Sequence, residues 1–221
     1  MNDLMNIFAG GDATTVATSV KLLLLLTVLS LAPSILILMT CFTRVVIVLG
    51  FVRTALSTQQ MPPTQVLIGL SLFITFFVMA PVFSDVNKEA LQPLFKDEIK
   101  LDEAYEKASV PFKEFMSKQT RQKDLMLFIE YSKMEKPESI KDIPLTTMVP
   151  AFAISEMKTA FQIGFMIFIP FLVIDMIVAS VLMSMGMMML PPVMISLPFK
   201  ILLFVMVDGW YLVVKSLLQS F

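Results

Sequence analysis

The chain has 221 residues, 57% of them hydrophobic and 16% charged, with a net charge of −1; soluble globular domains carry about 25% charged residues. The charges are crowded: 24 of the 35 lie between Asp85 and Asp142, and the other 163 positions share 11. The absence of histidine argues against catalysis, the single cysteine (Cys41) excludes an intrachain disulfide, and no basic cluster supports a nucleic-acid surface. What remains is a chain housed in lipid or in an apolar assembly, with one water-facing insert.

Residues 1–19 hold Asp3 and Asp12 but no Lys or Arg, unlike the basic start of a cleaved signal peptide, so the N-terminal segment reads as retained. Leu22–Met39 is apolar over the ~20 residues one membrane crossing needs, and Pro33 should bend it. After the polar Thr40–Arg44, the run Val45–Val52 is too short to span alone, and TALSTQQMPP (54–63) breaks the pattern. The second full block is Val66–Phe83. Arg44 and Arg53 lie between the two blocks with no acid beside them, which puts that turn on the cytoplasmic side and the insert on the outer side.

The insert repeats Tyr105, Ala108, Phe112, Phe115 and Met116 at three- and four-residue steps, an apolar stripe on a helix. Glu103 with Lys107, and Glu114 with Lys118, are helix-supporting pairs. Pro111 should interrupt the helix. The insert's charged span, residues 85–142, is under 60 residues and too small for its own core. The third block, Phe161–Leu190, would reach ~45 Å as a helix and must tilt or bend, with Pro170 and Gly186 as the places for it. The last block, Val193–Val214, follows through Leu190-Pro191-Pro192 and predicts a tight antiparallel hairpin. The whole predicts an all-α, polytopic membrane protein in three parts: an N-terminal hairpin region (1–84), a charged helical insert (85–147) and a C-terminal hairpin with a Met-rich loop (148–221).

Three charges interrupt apolar blocks. Asp175 sits in FIPFLVIDMIVASVLM, and Lys200 and Asp208 in the last block. Each costs ~2.5–3.5 kcal/mol in lipid unless it faces protein or water. A hairpin turning at 187–188 puts Asp175 opposite Lys200, with Glu156 and Lys158 as alternative partners. Such charges serve a proton relay or, more often, a buried pair that fixes helix register. Ser155-Glu-Met-Lys158 matches SxxK, but its companion SDN and KTG elements are absent; nothing else indicates an enzyme, a metal or a cofactor. In MSMGMMMLPP (183–192), Gly186, Pro191 and Pro192 stop the helix and free a methionine-rich loop. By spacing alone these methionines are also ordinary helix faces.

FTRVVIVLGFVRTAL (42–56), MPPTQVLIGLSLFITFFVMAP (61–81), MKTAFQIGFMIFIPFLVIDMIVASVLMSMGMMMLPP (157–192) and ISLPFKILLFVMVDGWYLVVKSL (195–217) together resemble the FliP family of the flagellar export apparatus. The SctR-type proteins of type III secretion systems are its counterpart. The likeness covers about residues 20–221, departing mildly at Thr64 (usually Asn) and Met157 (usually Leu). It implies a non-enzymatic gate in which about five copies close into a cone. FliQ-type and FliR-type subunits complete that cone, FlhB-type and FlhA-type proteins sit at its cytoplasmic side, and unfolded export substrates cross its centre. It further implies a pore gasket of Met187, Met188 and Met189, and a Glu156–Lys200 pair holding packed subunits together. That pair competes with the Asp175–Lys200 contact read from register and is favoured over it, with Asp175 as a third member. Methionine suits a gasket because it is unbranched, flexible and polarizable.

Overall fold

A computed structural model of the chain describes residues 23, 26–27, 30–58, 60–132, 137, 139–187 and 189–221. Expectations for residues 1–22 and for Met188 lie outside the described residues. The chain divides into two compact units, Met1–Ile37 and Leu38–Phe221. In the first, residues 30–37 are helical through Pro33, with their apolar side chains largely exposed.

In the second unit every described helix or strand element is helical. We number its α-helices α1 (Phe42–Ala55), α2 (Thr64–Val86), α3 (Gln92–Phe95), α4 (Leu101–Gln119), α5 (Gln122–Tyr131), α6 (Leu145–Ser184), α7 (Pro192–Met206) and α8 (Gly209–Gln219). A π-helical turn, Asn87–Leu91, carries α2 into α3, so one helical rod runs from Thr64 to Phe95, 32 residues. It passes straight through the boundary at Asp85 where composition turns from apolar to charged.

The apolar run judged too short to span is the centre of the core. Val45, Val48, Leu49, Val52 and Ala55 of α1 are fully buried, against Leu67 and Ile74 of α2, Ala160 and Phe171 of α6, Phe204 of α7, and Val213 and Leu217 of α8. At Gly164 of α6 an added Cβ would lie 2.4 Å from the Phe51 ring; only glycine lets α6 settle on α1 at that point.

Two sequence expectations change. Pro111 does not interrupt the insert: α4 runs unbroken from Leu101 to Gln119. The lost amide hydrogen bond is offset by burial of Pro111 itself and by Phe112, Phe115 and Met116, which pack against Met148 and Phe152 of α6. The last apolar block is also not one helix. It breaks at Asp208, which adopts left-handed backbone (φ 52°, ψ 54°), and α8 leaves α7 at a bend of 63°. Aspartate is among the few side chains that tolerate this conformation, so an acid in an apolar block marks a corner exposed on the surface.

α6 has 40 residues, ~60 Å of helix against a hydrocarbon core of ~30 Å. It begins sixteen residues before the apolar block does. Its first half is clothed by protein: Met148, Ala151, Phe152, Ser155, Glu156 and Ala160 are buried against the insert and α1. Along the second half Phe165, Met166, Leu172, Val173, Met176, Ile177 and Val181 stand exposed. Among the described residues, α6 and the 64–95 rod are each long and apolar enough to cross a membrane, and α7 with α8 qualifies as one bent pair.

Candidate functional site

Three polar clusters are strung along α6. The innermost centres on Arg44, whose side chain is 2% exposed. Arg44 lies on the same face of α1 as Val48, Val52 and Ala55, so folding α1 into the core buries the guanidinium. Its Nε donates to Glu156 Oε2 at 2.9 Å, and Nη2 donates to Glu156 Oε1 and to Gln119 Oε1, the latter at 2.9 Å. Nη1 donates to the Ser220 carbonyl at 2.8 Å and the Ser220 hydroxyl at 3.1 Å. The Phe221 ring caps the guanidinium 4.2 Å away, and Gln119 Nε2 donates to the Phe221 carbonyl at 3.2 Å. One arginine thereby ties α1, α4, α6 and the residues after α8.

The second cluster pins the insert. Ser155 Oγ donates to Asp124 Oδ2 at 2.7 Å and accepts from the Arg121 backbone N–H at 3.1 Å. Arg121 Nη2 lies 2.5 Å from the same carboxylate oxygen. Burial works to raise the Asp124 carboxyl, but the Ser155 hydroxyl and the Arg121 guanidinium outweigh it and hold it below the usual carboxylate range. Ser155 of the SxxK pattern is thus a buried structural hydroxyl, and Lys158 is exposed.

The third cluster lies nineteen residues beyond Glu156, ~28 Å along the helix. Lys200 of α7, 1% exposed, donates from Nζ to Asp175 Oδ2 at 2.6 Å and to Ser57 Oγ at 2.7 Å. The Ser196 hydroxyl donates to Asp175 Oδ1. Ser57 holds left-handed backbone (φ 57°) in the turn after α1, which turns its hydroxyl into the cluster. Within one chain the expected Glu156–Lys200–Asp175 grouping is therefore two separate pairs, Glu156 with Arg44 and Lys200 with Asp175. The α-helical rise keeps the two carboxylates far apart.

Sequence reasoning missed Arg44, Gln119, Ser57 and Ser196. By sequence Arg44 reads as a loop charge that sets membrane orientation; buried and paired, it does not count that way, which leaves the orientation on Arg53, whose Nη1 donates to Thr64 Oγ1 at 2.9 Å. The available signal was phase: Arg44 precedes Val48, Val52 and Ala55 by four, eight and eleven residues, the spacing of one buried face.

At the far end of α6 the chain turns through the methionine-rich stretch. Gly186 takes φ +73°. Its N–H bonds to Met183 O at 3.0 Å, and the Met187 N–H bonds to Leu182 O at 3.0 Å. That pairing is the Schellman close, with glycine at the left-handed position. Pro191 precedes α7 with extended backbone and Pro192 fills its first position, where a missing N–H costs nothing. Between these stops the side chains project outward: Met187 is 43% exposed and Met189 98%. Met183, Met185, Leu190 and Met194 are also exposed around them.

The profile of the FliP family matches residues 25–217. The chain is 78% identical over 221 residues, all of both chains, to the flagellar biosynthetic protein FliP of Bacillus subtilis (strain 168). Over 217 residues it is 54% identical to the protein of that name from Caulobacter vibrioides, covering 98% of this chain and 82% of the relative. The Aquifex aeolicus protein of the same name is 52% identical over 206 residues, covering 92% of this chain and 86% of its own.

Proposed function

The chain belongs to the FliP family of flagellar biosynthetic proteins, and from that premise we propose that it is a pore-forming core subunit of the flagellar protein export gate. About five copies assemble with FliQ-type and FliR-type subunits into a closed ring or cone in the bacterial cytoplasmic membrane, at the flagellar basal body. FlhB-type and FlhA-type proteins lie on the cytoplasmic side, and unfolded substrates pass through the centre. The role is structural, not enzymatic. Its three parts divide the labour: 1–84 and 148–221 build the wall in the membrane, and 85–147 braces it from outside.

One observation carries this reading. A turn closed by Gly186 and opened again by Pro191 and Pro192 presents methionines that the chain itself does not cover. In one chain such side chains have nothing to seal. Around a shared axis, Met187, Met188 and Met189 of several copies form a conformable gasket, tight to ions yet displaced by a passing polypeptide. The exposed apolar stretch of α6 from Leu172 to Val181 supports the same reading, because it supplies surface for neighbouring copies. The two ion pairs fit a scaffold better than a relay, since each charge is already neutralised and ~28 Å of helix separates them. The Glu156–Lys200 contact that the family resemblance implies would require both residues, each buried in its own pair within the single chain, to exchange partners in the assembled ring.

Deleting Met187–Met189 tests the gasket. Cells carrying the deletion should become leaky to ions and small solutes while the assembled complex persists. Unchanged permeability in an intact complex refutes it.

A further inference from the structure

A groove of about 410 Å³ lies on the outer surface between α6 and α8, away from the methionine turn. Gln162, Ile163, Met166 and Ile167 form one wall and Leu212 and Ser216 the other. The two helices run in opposite directions, and their ends near the insert are fixed by Arg44 with Glu156 and Ser220. Gln162 and Ser216 therefore share one level close to the insert, and Met166, Ile167 and Leu212 lie one turn deeper. The groove is polar at its insert end and apolar beyond, the polarity of a lipid.

Lys215 adds a charge beside the polar end. It is exposed, no carboxylate among the described residues is ion-paired with it, and its Nζ leans 5.7 Å from the Tyr211 ring centroid. The Gln162 amide and the Ser216 hydroxyl likewise make no hydrogen bond to another described residue. The apolar blocks of a second copy offer Lys215 little to pair with. Outside residues 85–142 the acids are Asp3, Asp12, Glu156, Asp175 and Asp208; of these Glu156 is buried and Asp175 already holds Lys200. A phosphate supplies the missing anion. We propose that the α6–α8 groove binds one anionic phospholipid, its acyl chain along Met166, Ile167 and Leu212 and its phosphate held by Lys215, Ser216 and Gln162. A basic side chain at the edge of an apolar groove is the chemistry that selects an anionic headgroup.

Native mass spectrometry of the full chain in mild detergent, with phosphatidylglycerol or phosphatidylcholine added, reads the site directly. Phosphatidylglycerol should be retained as one adduct per chain, more tightly than phosphatidylcholine. Lys215→Gln should lower phosphatidylglycerol retention about fivefold, the worth of one cation at an anionic headgroup, and leave phosphatidylcholine unchanged. Met166→Trp, at an exposed position, should fill the groove and lower both. Equal retention of the two lipids, unaffected by either substitution, overturns the proposal. A photoreactive residue placed at Met166 in cell membranes gives an independent reading that does not depend on a variant's stability. Crosslinking to lipid supports the site, and crosslinking to a second copy or another protein overturns it.

Discussion

Arg44 commits every N–H of its guanidinium inside the protein, and that commitment decides what its replacement does. Burying an ion costs several kcal/mol, which the bidentate carboxylate and the Gln119 and Ser220 acceptors offset. The pair is thus near neutral as a whole, but each half is expensive alone. Arg44→Met should destabilise the solubilised chain by about 3–5 kcal/mol because the Glu156 carboxylate is left buried and unpaired. Glu156→Met should do the same from the other side, and the double variant should recover most of the loss. Thermal midpoints of the four proteins in one detergent test this. Additive single losses, with no recovery in the double, would mean that the two residues are not energetically coupled. Arg44→Lys should not rescue, because an ammonium lacks the planar fork that reaches Glu156, Gln119 and Ser220 together.

At the scale of elements, α6 is the spine, and two contacts govern how it is dressed. At Gly164 the α1 helix comes so near that a methyl group would press on the Phe51 ring close to its own Cβ, where the side chain has little freedom to swing away. Gly164→Ala should therefore cost about 1–3 kcal/mol despite alanine's better helix propensity. A rise in thermal midpoint instead would show that Phe51 yields freely. The insert is held by Asp124, whose lowered carboxyl value fixes the sign of its pH response. Its contribution is fully present above the ordinary carboxylate value of about 3.9 and is lost as pH falls through the lower folded value. Proteolysis of residues 101–131 should accelerate only under that acidic condition in the wild type. In Asp124→Asn it should be faster already at neutral pH and nearly flat below, because the Arg121 charge has lost its partner. Hydropathy foretold neither contact. It marks where a helix is greasy, not where it starts, so the first sixteen residues of α6, packed on the insert, were invisible to it. The unbroken α4 likewise depends on tertiary burial of Pro111, which sequence pattern does not register.

For the whole molecule, what the sequence disclosed and what it hid divide by the range of the interactions. Helical class, the charged insert, the methionine turn and its glycine and proline stops all follow from local pattern, and the proposed assembly rests on the family likeness. The partners of buried charges did not follow, because Arg44 meets Glu156 across 112 residues and Ser220 across 176. The remaining question is what covers the open half of α6. Lipid tails are as apolar as leucine, so exposure there has no hydrophobic cost in a membrane, and close packing decides association instead. A charge placed on that face then separates the two states. Met176 is 61% exposed and belongs to none of the chain's core clusters, so Met176→Lys leaves the chain's own fold intact. The wild-type protein should run as a large detergent-stable particle whose intact mass corresponds to several copies. The variant should stay in the membrane fraction with unchanged helix content, yet fall apart to single chains. A wild-type protein that is monomeric by intact mass would remove the shared axis, and with it any pore for the methionines to close.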